Sequence, residues 1–119
     1  MNNRRRDLIL ERADHLAVLV YILTRKIPKE ELFGFTSQLR RAALSVVLNI
    51  IEGYARQQRQ DHRRFLEIAF GSVKETMYLL EFGVKIGYFI GSDVKNISSQ
   101  YEEVARMLWA KIQTLKKAT

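Results

Sequence analysis

Gln38–Arg56 reads QLRRAALSVVLNIIEGYAR, and this stretch decides the fold. At 3.6 residues per turn, Gln38, Arg41, Ser45, Asn49, Glu52 and Arg56 fall on one face, within roughly 80° of arc. The rest of the segment is almost entirely apolar: Leu39, Ala43, Leu44, Val46, Val47, Leu48, Ile50, Ile51 and Tyr54. An ordinary surface helix has a polar face wider than its apolar one. The inverted proportion here predicts a largely buried helix whose polar groups meet other protein groups or a ligand. Asn49 and Glu52 are therefore expected to be buried and bonded to Arg41 or Arg56 and to the third helix.

Three more helical patterns flank this one. The first runs from about Arg6 to Lys26, with Ile9, Ala13, Leu16, Val20 and Leu23 at helical spacing, and the single proline, Pro28, stops it. Thr36 or Ser37 is expected to cap the helix that follows. The third pattern runs from about Asp61 to Lys85 after the polar join QQRQD. The fourth, from about Asp93 to Lys116, carries Val94, Ile97, Tyr101, Val104, Leu108, Ile112 and Leu115, with Ser92 as a candidate N-cap. Strand-type alternation is absent. The prediction is all-α: one domain over residues 1–119, an antiparallel up-down-up-down four-helix bundle with short joins.

The third helix is apolar on two sides. Leu66, Ala69, Val73, Met77, Leu80 and Val84 form one face, while Ile68, Leu79, Phe82 and Ile86 form the opposite one. A bundle gives each helix one core-facing side, so the second face calls for another surface, most simply a second copy of the chain. Gly71 costs about 1 kcal/mol against alanine in mid-helix, which predicts a close helix crossing there, with Ser72 and Glu75 beside it. Gln38, Arg41, Ser45, Asn49, Glu52, Ser72 and Glu75 are the expected structural polar network.

Composition narrows the function classes. The chain has 119 residues, 47% hydrophobic, and no cysteine, which excludes disulfides and thiolate metal sites. No apolar run is long enough for a signal peptide or a membrane span, so a soluble, cytoplasmic protein without a membrane partner is expected. The net charge of +7 and the pI near 9.9 favour polyanionic partners.

The runs FGFTSQLRRAALSVVLNIIEGYAR and FLEIAFGSVKE resemble the four helix bundle protein family, which includes proteins encoded in intervening sequences of bacterial 23S ribosomal RNA genes. Pro28, Glu31, Gly34, Gln38, Arg40, Arg41, Ala42, Ser45, Asn49, Ile50, Glu52, Gly53, Arg56, Gly71, Ser72 and Glu75 follow its pattern in order. Phe35, Val47 and Ile51 depart from it while staying apolar. The resemblance implies a four-helix bundle assembled as a homopentamer. A related group serves diversity-generating retroelements as accessory proteins, which implies RNA or DNA and a reverse transcriptase as possible partners.

Catalytic and metal chemistry find little footing. The two histidines, His15 and His62, are far apart and lack the Glu-x-x-His pairs of di-iron bundles. No nucleophile elbow or phosphate loop is present. Arg56 and His62 resemble the Arg-x(4–6)-His motif of HEPN-type ribonucleases, where histidine does acid–base work and arginine stabilises phosphate charge. That spacing arises easily by chance in a basic helical chain, and Arg56 also reads as an i,i+4 partner for Glu52. The expectation is a non-enzyme with no cofactor. In an up-down-up-down bundle Arg4, Arg5, Arg6, Arg56, Arg59, Arg63, Arg64, Lys116 and Lys117 gather on one rim, the candidate nucleic-acid-binding surface. Only Tyr54 offers an aromatic near it, so base stacking is expected to be weak. The readings kept beside nucleic-acid binding are a protein-binding adaptor, such as a reverse transcriptase accessory subunit, and, ranked below it, the HEPN-like ribonuclease.

Overall fold

The computed structural model describes the backbone of residues 4–117 and the side chains of residues 8–117. Four helices account for nearly all of it: α1 (Arg4–Thr24), α2 (Phe35–Tyr54), α3 (Arg59–Lys85) and α4 (Gly91–Lys117), with a short 3₁₀ turn at Lys29–Glu31. Among the described residues each helix packs on two neighbours and none reaches across the diagonal. The bundle measures 46 × 25 × 23 Å.

Cross-helix contacts fix the directions. Arg12, midway along α1, lies 3.7 Å from Glu103, midway along α4, while Lys26 just after α1 lies 3.4 Å from Asp93 at the start of α4. Phe35 meets Phe82 with ring centroids 5.9 Å apart, Ser45 meets Ser72 at 2.8 Å, and Gly53 lies against His62. Phe70 meets Trp109, and Gly83 meets Phe89. Each adjacent pair is thus antiparallel, in the expected up-down order. The core is formed by Leu16 and Val20 from α1, Leu39, Val46 and Ile50 from α2, Leu66, Val73 and Leu80 from α3, and Tyr101, Val104 and Leu108 from α4.

The cap of α2 differs from expectation. Thr36 is buried inside the helix, and Gly34 stands at the N-cap with no side-chain cap bond. Glu31 does the capping work instead: its Oε1 accepts the Phe35 N–H at 3.3 Å. Its Oε2 accepts the Tyr88 hydroxyl at 2.5 Å, which ties the α1–α2 join to the α3–α4 join. That bond to a carboxylate, ahead of burial, pushes the Tyr88 pKa above its ordinary value. Ser92 lies within the first turn of α4, which starts at Gly91.

The close helix approach expected at Gly71 lies elsewhere. A Cβ on Gly71 would meet nothing within 4 Å. At Gly53 it would fall 3.1 Å from the His62 ring and 3.4 Å from Leu66. At Gly83 it would overlap the Phe89 ring and press on Phe35. Gly53 and Gly83 lie in the last turns of α2 and α3, and packing marks them, not the mid-helix Gly71, as the close approaches.

Two predictions arise from this core. Gly83→Ala is expected to destabilise the fold by about 1–3 kcal/mol, because the ring it strikes is itself packed. Urea unfolding at fixed protein concentration reads this, and an unchanged or raised midpoint would refute the tight packing. Second, Tyr101 is fully buried and its hydroxyl has no hydrogen-bond partner. Tyr101→Phe removes that stranded hydroxyl and should leave stability equal or raised by about 1 kcal/mol. Burial also pushes the Tyr101 pKa up. A raised folded-state value means this group's contribution is complete below the unfolded pKa of 10.0 and is lost as pH rises beyond it. Alkaline titration followed by circular dichroism should therefore show a destabilisation above about pH 10 that is smaller in Tyr101→Phe.

Candidate nucleic-acid interface

The polar stripe of α2 divides in two. Ser45, Asn49 and Ser72 form a half-buried network: Ser45 Oγ and Ser72 Oγ lie 2.8 Å apart, and Asn49 Nδ2 donates to the Ser45 carbonyl at 2.8 Å and to Ser45 Oγ at 3.0 Å. Thr76 continues it by donating to the Ser72 carbonyl at 2.7 Å. Glu52 is a correction: it is exposed and paired at 2.6 Å with Arg56, four residues on and just past the end of its own helix. Gln38, Arg41 and Glu75 are also exposed, with no bond to this network. The reason is the cost of burying a charge at Arg41, Glu52 and Glu75, and an unbonded amide at Gln38. The inward face of α2 is filled by Leu39, Ala43, Val46, Ile50 and Gly53, and the remaining apolar residues, Leu44, Leu48 and Ile51, face outward among the charged ones.

That outward face is uncovered. Leu48 is 57% exposed, and on α3 Ile68, Tyr78, Phe82 and Ile86 are exposed as well. The second apolar face read in the α3 sequence is therefore present, although Leu79 is partly covered. A groove of about 610 Å³ runs along α2 beneath Tyr21 and Phe33, with Arg40, Arg41, Leu44 and Leu48 in its wall. Arg40 is held there by Thr24 Oγ1 at 2.8 Å and lies over the Tyr21 ring.

The antiparallel order places the start of α1, the α2–α3 join and the end of α4 at one pole. Arg56, Arg59, Arg64, Lys116 and Lys117 are exposed there. The side chains of Arg4, Arg5 and Arg6 lie outside the described residues. The cations are not equivalent. Arg56 is paired with Glu52, and the half-buried Arg63 lies 3.9 Å from Glu67. Arg59 and Arg64 have no carboxylate within ion-pair distance among the described residues. Phe65 was overlooked in the sequence: its ring lies under Arg56, at 4.7 Å from Cζ to centroid, and under Arg64, at 4.5 Å. The signal was available in Arg63-Arg64-Phe65, but the partner from the end of α2 was not.

His62 packs against the end of α2. It is half-buried against Gly53 and meets Tyr54 edge-on, with centroids 5.4 Å apart. Arg56 is instead engaged with Glu52 and Phe65, so the two residues of the ribonuclease-like spacing have different neighbours. No cluster of three or more candidate metal ligands occurs among the described residues, and none of their helices is long and apolar enough to cross a membrane.

Fold and surface together define a small four-helix bundle with one arginine-rich pole and an uncovered apolar flank. Residues 6–110 match the 23S rRNA-intervening sequence protein family, and the chain belongs to that family. Its fold is similar to that of a protein of unknown function from the S23 ribosomal protein family of Bacteroides thetaiotaomicron, with a TM-score of 0.83. The two share 24% identity over 92% of this chain and 98% of that one. No curated protein matches the chain significantly.

Proposed function

We propose that this chain is a non-enzymatic, self-associating bundle that binds nucleic acid, or a nucleoprotein partner, through its basic pole. The observation that carries the reading is the position of Arg59 and Arg64: exposed, without an acid partner among the described residues, at the pole that also receives the start of α1 and the end of α4. Unpaired surface arginines on one face are what a phosphate backbone requires. Self-association is supported by the uncovered flank of α2 and α3, which spreads large apolar side chains over two adjacent helices. Repeating the pole around an oligomer, five-membered as the family resemblance implies, would multiply weak phosphate contacts. The same flank supports a second reading, in which another protein, such as a reverse transcriptase, occupies it and the chain acts as an adaptor.

Two outcomes are expected. Light scattering at micromolar concentration should give a mass several times the 13.9 kDa of one chain, and a clean monomer refutes self-association. Binding to a labelled oligonucleotide should weaken steeply with salt. Replacing Arg59, Arg63 and Arg64 together by alanine should lower affinity and flatten the log–log salt slope by about 2, since each lost phosphate contact removes close to one unit. Arg63, already facing Glu67, contributes the least of the three. Absent or salt-insensitive binding transfers the weight to the adaptor reading. Cleavage of the oligonucleotide that is lost in His62→Ala would restore the ribonuclease reading.

A further inference from the structure

The geometry points to a base-stacking site at Phe65, a deepening that rests on the nucleic-acid reading of the pole. An unpaired nucleobase stacks on the exposed face of the Arg56 guanidinium, which the Phe65 ring backs, and its flanking phosphates lie on Arg59 and Arg64. The ligand class is single-stranded nucleic acid.

Phe65 is a large aromatic residue that belongs neither to the buried core nor to the side chains packed against it. It is only half-buried, and two guanidinium groups lie over its ring, with Cζ-to-centroid distances of 4.7 Å for Arg56 and 4.5 Å for Arg64. The two arginines differ in what they can offer. Arg56 is engaged at its Nη2 edge by Glu52 at 2.6 Å, which occupies one edge of the guanidinium and partly offsets its charge. Its side chain nevertheless remains 43% exposed. A guanidinium in that state is a poor phosphate ligand and a good flat surface, because stacking uses the face and leaves the edge donors engaged. Arg64 and Arg59, without carboxylate partners among the described residues, keep their charge for phosphate. The site thus separates a plate from a pair of cations, as sequence-tolerant single-strand binding requires. A duplex keeps its base faces inside its own stack and gains nothing from the plate.

The test compares three labelled DNA probes of equal length by fluorescence anisotropy: a single strand, its duplex, and a strand of abasic sites. The native protein is expected to bind the single strand more tightly than the abasic one. Phe65→Leu should weaken single-strand binding by about 5- to 100-fold and change duplex and abasic binding by less than about 2-fold, since stacking contributes per base and not per phosphate. Arg56→Lys keeps the charge and removes the plane, and should show the same selectivity with a smaller loss. If Phe65→Leu does not fold by circular dichroism, Arg56→Lys and the comparison of native binding to base-bearing and abasic strands carry the decision. Equal binding of all three probes by the native protein, or an equal loss on all three in the variants, overturns the stacking site and leaves the phosphate-binding pole standing. No binding of any probe overturns both.

Discussion

The close approach of α2 and α3 is the constraint on which the rest depends. Small residues meet at their contact: Ser45 faces Ser72, and Gly53 lies against His62 and Leu66. Two serine hydroxyls 2.8 Å apart need backbones close together, and a methyl group at Gly53 would press on the His62 ring. A seam this narrow has little room for large side chains. Leucine and isoleucine on these two helices are therefore divided between the central core and the outside, and this produces the uncovered flank. The polar contribution of the seam fixes register more than it adds stability, because hydroxyl bonds exchange with water at small net gain.

From this seam the two ends of the bundle acquire different characters. At one end Phe35 packs on Phe82, Tyr88 and Phe89, and the turn carries mixed charge. At the other, the short join between α2 and α3 brings Arg56, Arg59 and Arg64 around Phe65 with few acids to balance them. The asymmetry is made by topology: only an antiparallel order brings the end of α4 to the same pole as the α2–α3 join.

Much of the fold was legible in the sequence. Periodicity located each helix to within a few residues, since burial of one stripe per helix repeats the same spacing over about 20 positions. The second apolar face of α3 was legible for the same reason. The orientation of the α2 stripe was not. A helical wheel shows that Gln38, Arg41 and Glu52 share a side but not whether that side faces protein or water. Leu44, Leu48 and Ile51 made the inward choice look compulsory when they were themselves exposed. The Arg56–Glu52 pair was readable because its partners are four residues apart, whereas the Arg56–Phe65 contact spans a join and needed coordinates. Gly71 misled because a glycine records a backbone requirement without saying where it is met.

The bond between Tyr88 and Glu31 has a consequence for how the chain can change over time. Two connecting segments far apart in sequence share one proton, and the same carboxylate holds the first N–H of α2. Neither segment can lengthen or shorten alone without displacing the end of a helix that belongs to the other. The join between α2 and α3 is under no such dual claim from Glu31. An insertion at the arginine-bearing join would leave the Glu31 contacts intact and alter the surface offered to a ligand, while the aromatic end keeps the scaffold in register.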